Sequence, residues 1–152
     1  MRVGRKMLGW MGAVLLLGAL ACGDDPVSAD PEIAQFVGDW AAEVVTLTNV
    51  ANPEVVADLI ANGATLTLNV QPSGQYTAIL VIAGQSSTEI GSISVAGSTL
   101  TLHREFPTAE TSPGTFAFSG PDRFVLDGDT EFDFNFDQVP EPALAHFEYA
   151  RR

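Results

Sequence analysis

The sequence predicts an all-β fold, an antiparallel barrel or sandwich of eight or nine short strands. From residue 64 onward, apolar and polar residues alternate with a period of two, which is typical of strands with one buried face. Short clusters of Gly, Pro, Asn and Asp separate these runs, as in antiparallel meanders. The chain has 152 residues, enough for one hydrophobic core once the N-terminal apolar segment is set aside.

That N-terminal segment is predicted to be a signal and not part of the fold. A basic start, Arg2–Lys6, precedes the uncharged apolar run Met7–Ala21, which is too short for a comfortable transmembrane helix. The run ends in Ala-Leu-Ala-Cys at Ala19–Cys22, which resembles the lipobox of bacterial lipoproteins. The resemblance implies that residues 1–21 are a lipoprotein signal peptide and that Cys22 is lipidated. The alternative is an ordinary secreted protein with one free thiol.

The residues after the signal predict a single domain on a tether. Residues 22–35 contain the cysteine and a polar stretch with two prolines, which suits an extended spacer. Gly23 does not resemble the aspartate that retains lipoproteins at the inner membrane, so the resemblance favours the outer membrane of the cell envelope. Cys22 is the single cysteine, so no disulfide within the chain is expected.

The charge of the predicted domain is strongly negative. Three of the seven basic residues precede Cys22, which leaves four arginines against nineteen carboxylates, a formal net charge of −15. Such a surface repels nucleic acid and anionic headgroups. The expected attachment to the membrane is therefore the N-terminal lipid, and no nucleic-acid partner is expected.

The first strand is predicted over Phe36–Val50, with Trp40 and the alternate residues up to Thr46 on one face. Asn52-Pro53-Glu54 then has the composition of a helix start, with an N-cap, a first-turn proline and an acidic residue. Apolar residues of the following stretch fall on one helical stripe that ends at Gly63. One short helix is therefore predicted between the first two strands.

The remaining strands follow from alternation between turn signals. They are predicted over residues 64–70, 75–83, 86–95, 98–104, 115–119, 123–127, 131–137 and 143–152. The strand containing Ile79–Ile82 is apolar on both faces, and the strand 131–137 presents alternating phenylalanines.

Gly38-Asp39-Trp40, standing at the start of this meander, resembles the Gly-x-Trp of the lipocalin-like (calycin) superfamily. The resemblance implies an up-and-down barrel over residues 36–152, with the tryptophan at the closed end of the barrel. It also implies an arginine from the last strand across the indole, which matches Arg151. Gly38, Trp40 and Arg151 are thus expected to close the barrel. An immunoglobulin-like sandwich is the rival fold, although it gives no reason for the early helix.

An eight-stranded barrel has an interior that side chains just fill or that holds one small ligand. The first outcome corresponds to a structural or protein–protein interaction module of the cell envelope, and the second to a carrier or sensor of a small hydrophobic ligand, which the resemblance favours. The residues expected to line a ligand pocket are Leu66, Leu68, Tyr76, Leu80, Phe132, Phe134, Phe136 and Phe147.

Catalytic and metal-binding patterns are not found in the sequence. No Gly-x-Ser-x-Gly, Ser-x-x-Lys or glycine-rich phosphate loop occurs, so neither an enzyme nor a cofactor is expected. The acidic run from Asp127 to Asp137 could supply oxygen ligands for Ca²⁺, but its spacing does not match an EF-hand, and a hairpin with charged outer positions is favoured. His103 and His146 alternate away from apolar neighbours and are expected to face solvent, so no zinc site is predicted.

Overall fold

The computed structural model describes residues 30–152, so the predictions for the signal peptide, Cys22 and the tether up to residue 29 lie outside the described residues. A single short helix, α1 (Pro31–Ala34), stands near the start and is capped by the Asp30 side chain. The strands are β1 (Gly38–Asn49), β2 (Val56–Asp58), β3 (Thr65–Val70), β4 (Gln75–Ile82), β5 (Gln85–Ala96), β6 (Thr99–Phe106), β7 (Glu110–Phe118), β8 (Arg123–Phe132) and β9 (Glu141–Arg151).

Eight of the strands close into an antiparallel barrel. β1 and β3 to β9 pair in sequence order, and β9 returns to pair with β1 along nearly its whole length. β2 is an additional short strand on the far half of β1. The predicted all-β antiparallel barrel is confirmed, and the sandwich is not what forms. Closure leaves these eight strands without free edges, which protects them from pairing with other chains.

The helix lies before β1 and not between the first two strands, which corrects its predicted position. The segment Asn52–Gly63, predicted as the helix, instead consists of turns and β2. Asn49 Oδ1 accepts from the backbone N–H groups of Ala51 and Asn52, and Asn52 Oδ1 accepts from Glu54 N. Short polar side chains that can cap a helix bond turns equally well. The chain then places β2 against β1 at Thr46–Thr48.

A β-bulge in β1 changes which residues face the interior. Trp40 and Ala42 point inward, the register shifts between Ala42 and Val44, and Val45 and Leu47 are then the buried positions. The predicted single face from Trp40 to Thr46 is therefore correct only as far as Ala42. A bulge adds one residue to a strand and so reverses the alternation beyond it.

The predicted strand over residues 131–137 ends at Phe132, and a loop follows. Asp133 accepts hydrogen bonds from the backbone N–H groups of Asp137 and Gln138 through its two carboxylate oxygens. These bonds turn the chain back on itself, so Phe136 adopts a φ of 60° and is 84% exposed. The predicted placement of Phe136 inside the barrel is wrong for this reason.

The barrel has a closed end and an open end. The closed end is where β1 begins and β9 ends, at Gly38 and Arg151. The open end, at the opposite side, has the loops that join β4 to β5, β6 to β7 and β8 to β9. Within residues 30–152, none of the helical segments is long and apolar enough to cross a bilayer.

Candidate ligand-binding site

The closed end is sealed by a tryptophan and an arginine from the first and last strands. Trp40 and Arg151 are cross-strand partners, and the guanidinium carbon of Arg151 lies 4.2 Å from the centroid of the Trp40 ring. Trp40 is fully buried, and its indole N–H donates to the Phe36 carbonyl at 2.7 Å. Arg151 Nη1 donates to the Val37 carbonyl at 2.8 Å. The guanidinium therefore binds the segment entering β1 as well as the indole face.

Gly38 is needed for this arrangement. Its φ of 131° is in a region that residues with a side chain rarely adopt, and an added Cβ would lie 2.5 Å from Arg151 Nη1. A side chain at position 38 would thus strain the backbone and displace the guanidinium at once.

Aromatic rings fill the space above this seal. Phe36 packs edge-on against Phe118 and Phe124, with ring centroids 5.0 and 5.4 Å apart. Phe124 lies 4.8 Å from Trp40 and stacks on Tyr149 at 4.8 Å. Such contacts add to the burial of large apolar surfaces. The closed half of the interior is therefore a packed core.

The open half contains a cavity of about 760 Å³. A row of small residues explains it: Gly114, Gly128 and Ala145 are cross-strand neighbours on β7, β8 and β9. These three positions contribute at most a methyl group to the interior, where larger side chains would meet. The apolar part of the lining consists mainly of Leu100, Leu102, Leu126, Ala145 and Phe147.

The cavity reaches the surface near the mouth of the barrel, beside β7 and β8. These strands pair from Phe118, which lies opposite Phe124, up to Gly114, which lies opposite Gly128. Residues just beyond that point border the cavity on both sides, namely Ser112 and Pro113 on β7 and Asp129 and Glu131 on β8. A molecule can therefore approach the cavity from the open end and from this flank.

One wall of the cavity is polar. Arg104 lies between two carboxylates: its Nη1 is 3.4 Å from Glu89 Oε2, and its Nη2 contacts Glu110. Arg104 Nε also donates to the Thr108 carbonyl at 2.8 Å. The hydroxyl of Tyr76 donates to Glu89 Oε1 at 2.5 Å. We call Glu89, Arg104 and Glu110 the polar wall.

Two tyrosines next to the polar wall are held in their neutral form. Burial raises the pKa of Tyr76 well above its usual value, and its hydrogen bond to Glu89 raises the pKa further. Burial also raises the pKa of Tyr149, with a smaller contribution from the charge of Glu89. Both phenols thus remain available as hydrogen-bond donors and not as anions.

The residues predicted to line a pocket divide into groups. Phe147 borders the cavity, and Tyr76 reaches the polar wall through its hydroxyl. Leu66 and Leu68 are buried in the core, and Leu80 packs against it. Phe132 and Phe134 contact each other with ring centroids 5.0 Å apart, beside the loop that exposes Phe136.

Sequence reasoning missed the charged members of the polar wall. On β6, Arg104 lies on the same inward face as Leu100 and Leu102, two residues further toward the open end. On β5, Glu89 lies on the same inward face as Gly91 and Ile93. Extending the two apolar faces toward the open end would have placed both charges inside the barrel.

The histidines lie on the outer face. His103 contacts Ser94 Oγ at 2.9 Å, and His146 Nδ1 lies 2.6 Å from Asp127 Oδ1. The hydrogen bond to Asp127 raises the pKa of His146 above its usual value, against a smaller lowering by burial. Among residues 30–152, no three His, Cys, Asp or Glu side chains are grouped closely enough to hold a metal ion.

Comparisons with known proteins agree with the barrel and do not reach a family. No family model matches the chain, and no curated protein matches it. Among solved structures it is similar to a redesigned β-barrel, with a TM-score of 0.52, 17% identity, and coverage of 82% of this chain and 98% of the other. It is also similar to EF1p2_mFAP2b bound to DFHBI, with a TM-score of 0.51, 17% identity, and coverage of 80% and 97%. At this identity the likeness shows the fold alone.

Proposed function

We propose that the protein is an envelope lipoprotein, anchored at the outer membrane through Cys22, whose barrel binds a small molecule with an apolar body. The observation that supports this function best is the cavity of about 760 Å³ in the open half, which lies within the range of small-molecule sites. Its walls combine three leucines and a phenylalanine, which can contact an apolar body, with charged and hydroxyl side chains that can bind a polar group. One structural neighbour is described as bound to DFHBI. The proposal assigns the barrel no catalytic role.

Binding is tested with a neutral apolar fluorophore, N-phenyl-1-naphthylamine, added to the purified domain. We expect saturable fluorescence enhancement with one site per chain. Ala145→Leu adds three carbons to a buried residue of the cavity wall, and it should weaken binding about tenfold or more. Ala150→Leu makes the same change at an outward-facing position of β9, away from the cavity lining, and should leave binding unchanged.

The expected loss of binding must come from the cavity and not from unfolding. Thermal unfolding by circular dichroism should therefore show that Ala145→Leu remains folded at the assay temperature. Non-saturable enhancement in the wild-type domain, or equal binding by the two leucine variants, would contradict ligand binding in this cavity.

The anchor is tested separately. Cys22→Ser in the full chain should prevent lipid attachment and leave an unprocessed or soluble product that no longer partitions into the detergent phase. Processing and partitioning that are unchanged in Cys22→Ser would refute the lipoprotein part of the proposal and leave the ligand part standing.

A second candidate function is a protein–protein interaction module. It is favoured by apolar side chains exposed around the open end, on different loops and strand ends: Val50, Val56, Phe106, Phe136 and Val139. Such a cluster can serve as a contact surface. This candidate predicts no saturable probe binding, together with contacts to envelope proteins that Phe136→Ser weakens.

A further inference from the structure

The charge of the polar wall bears on the kind of molecule that the cavity accepts. Arg104 is the single positive group on this wall, whereas Glu89 and Glu110 are both negative. The formal charges of these three side chains, one positive and two negative, add up to −1.

The guanidinium of Arg104 is already engaged on all three nitrogens. Nε donates to the Thr108 carbonyl, Nη1 contacts Glu89 and Nη2 contacts Glu110. An anionic head group placed against Arg104 would stand beside both carboxylates and would have to displace one of them. Repulsion between like charges is strong where water is partly excluded.

The carboxylates have acceptor capacity to spare. An ionised carboxylate can accept about four hydrogen bonds, and Glu110 contacts Arg104 and Ser112 while remaining more than half exposed. Its free lone pairs lie at the edge of a cavity whose lining also includes Leu100, Leu102, Leu126 and Phe147. Asp129 and Glu131 border the same opening, and they add negative potential on the path of entry.

We infer that the ligand is a cationic amphiphile, whose apolar chain lies along the leucines and Phe147 and whose ammonium or similar head group bonds to Glu110 and Glu89. This inference rests on the proposed ligand-binding function and specifies its ligand class. The apolar chain removes leucine and phenylalanine surface from water, and the head group balances the net charge of the polar wall.

The test uses three probes with the same twelve-carbon chain and different head groups: dodecylamine, 1-dodecanol and dodecanoate. Each probe is titrated into the wild-type domain with bound N-phenyl-1-naphthylamine at 150 mM salt, and the loss of fluorescence measures competition. The probe concentrations stay below those at which the probes aggregate. Dodecylamine should compete about tenfold more strongly than 1-dodecanol, because charge-assisted hydrogen bonds exceed neutral ones. Dodecanoate should be the weakest competitor.

Two variants test whether the preference for dodecylamine comes from the polar wall or from the overall negative charge of the protein. Glu110→Gln removes one carboxylate of the wall and should reduce the preference for dodecylamine over 1-dodecanol about tenfold, measured as the ratio of the two competition constants in the same variant. Glu43→Gln is the matched control, since Glu43 also pairs with an arginine, Arg123, but on the outer face. It should keep the wild-type preference.

The outcomes distinguish this inference from the function on which it rests. If the fluorophore binds and the three head groups compete equally, or dodecanoate competes best, the ligand class is wrong and the binding function stands. An equal loss of amine preference in Glu110→Gln and Glu43→Gln would also overturn the inference, because the preference would then come from overall charge. If the fluorophore does not bind the wild-type domain, the proposed function itself fails.

Discussion

The two halves of the barrel interior differ in the size of the side chains that point into them. In the closed half, Trp40 and its neighbouring aromatic rings fill the space, and Arg151 seals the end. In the open half, glycine and alanine occupy adjacent strands at Gly114, Gly128 and Ala145, and a cavity remains. The same sheet thus encloses a packed core at one end and a cavity at the other. The difference lies in side-chain volume at a few paired positions and not in the backbone.

Two arginines, one in each half of the barrel, have different surroundings. Arg151 lies on an indole and donates to backbone carbonyls, so its surroundings are neutral or aromatic apart from Asp122. Arg104 lies between Glu89 and Glu110 in the cavity wall. The guanidinium of Arg151 holds the start of β1 against the end of β9, whereas that of Arg104 lies between two carboxylates in the wall of the cavity.

The largest expected effect comes from removing aromatic volume at the closed end. Trp40→Ala should lower the free energy of unfolding by about 3–5 kcal/mol, because the indole is fully buried and leaves a void. Phe147→Ala, at the cavity wall, should cost about 1–2 kcal/mol, since its ring already borders open space. Urea denaturation of the two variants measures the difference. Equal losses would show that the open half is packed as tightly as the closed half.

A smaller effect is expected from the arginine at the seal. Arg151→Ala should cost about 1–2 kcal/mol, through the lost cation–π contact and hydrogen bonds. In a double-mutant cycle with Trp40→Leu, the two changes should be coupled by about 0.5–2 kcal/mol, because the groups touch. Arg152→Ala, at the adjacent arginine, is the matched control and should be uncoupled from Trp40→Leu. Additive effects at Arg151 and Trp40 would contradict the proposed seal.

The smallest expected effect is the pH dependence of stability that comes from a histidine in the middle of the β8–β9 pairing. The hydrogen bond to Asp127 raises the pKa of His146, so the protonated histidine stabilises the folded state. This stabilisation is complete below the unfolded pKa near 6.5 and is lost as pH rises through the raised folded pKa. The Tm of the wild-type domain should therefore fall over that range, and His146→Gln should flatten this part of the profile.

Asp127→Asn removes the nearer carboxylate partner of His146 and leaves Glu148 Oε1 at 3.4 Å from Nε2, so it should flatten the same part of the profile in part. The effect is modest because both side chains are partly exposed and solvent screens their interaction. A pH profile of Asp127→Asn identical to that of the wild-type domain would show that the pair does not contribute.

The sequence allowed the closure of the barrel to be predicted because that closure depends on residues with special properties. A Gly-x-Trp at the start of a meander and an arginine at its end are visible without a structure, and Trp40 and Arg151 do lie together. Period-two alternation likewise predicted most strands, since a strand with one buried face has few other patterns.

Local irregularities are what the sequence did not reveal. The bulge in β1 reverses the inward face after Ala42, and no composition signal marks it. Asn52-Pro53-Glu54 suits a helix start and a turn alike, and the turn forms where β2 pairs with the part of β1 beyond its pairing with β3. The position of the cavity was also hidden, because it depends on which small residues become neighbours across three strands.

The direction from which the chain enters the barrel has a consequence for access. α1 and Gly38 lie at the closed end, and β1 then runs 12 residues toward the mouth. At about 3.3 Å per residue and a tilt of roughly 40°, the mouth stands about 30 Å from the point of entry. An anchor at Cys22, as proposed, would attach the barrel by its sealed base. The mouth would then be the end of the barrel farthest from the attachment point, so the tether would leave the opening of the cavity unobstructed.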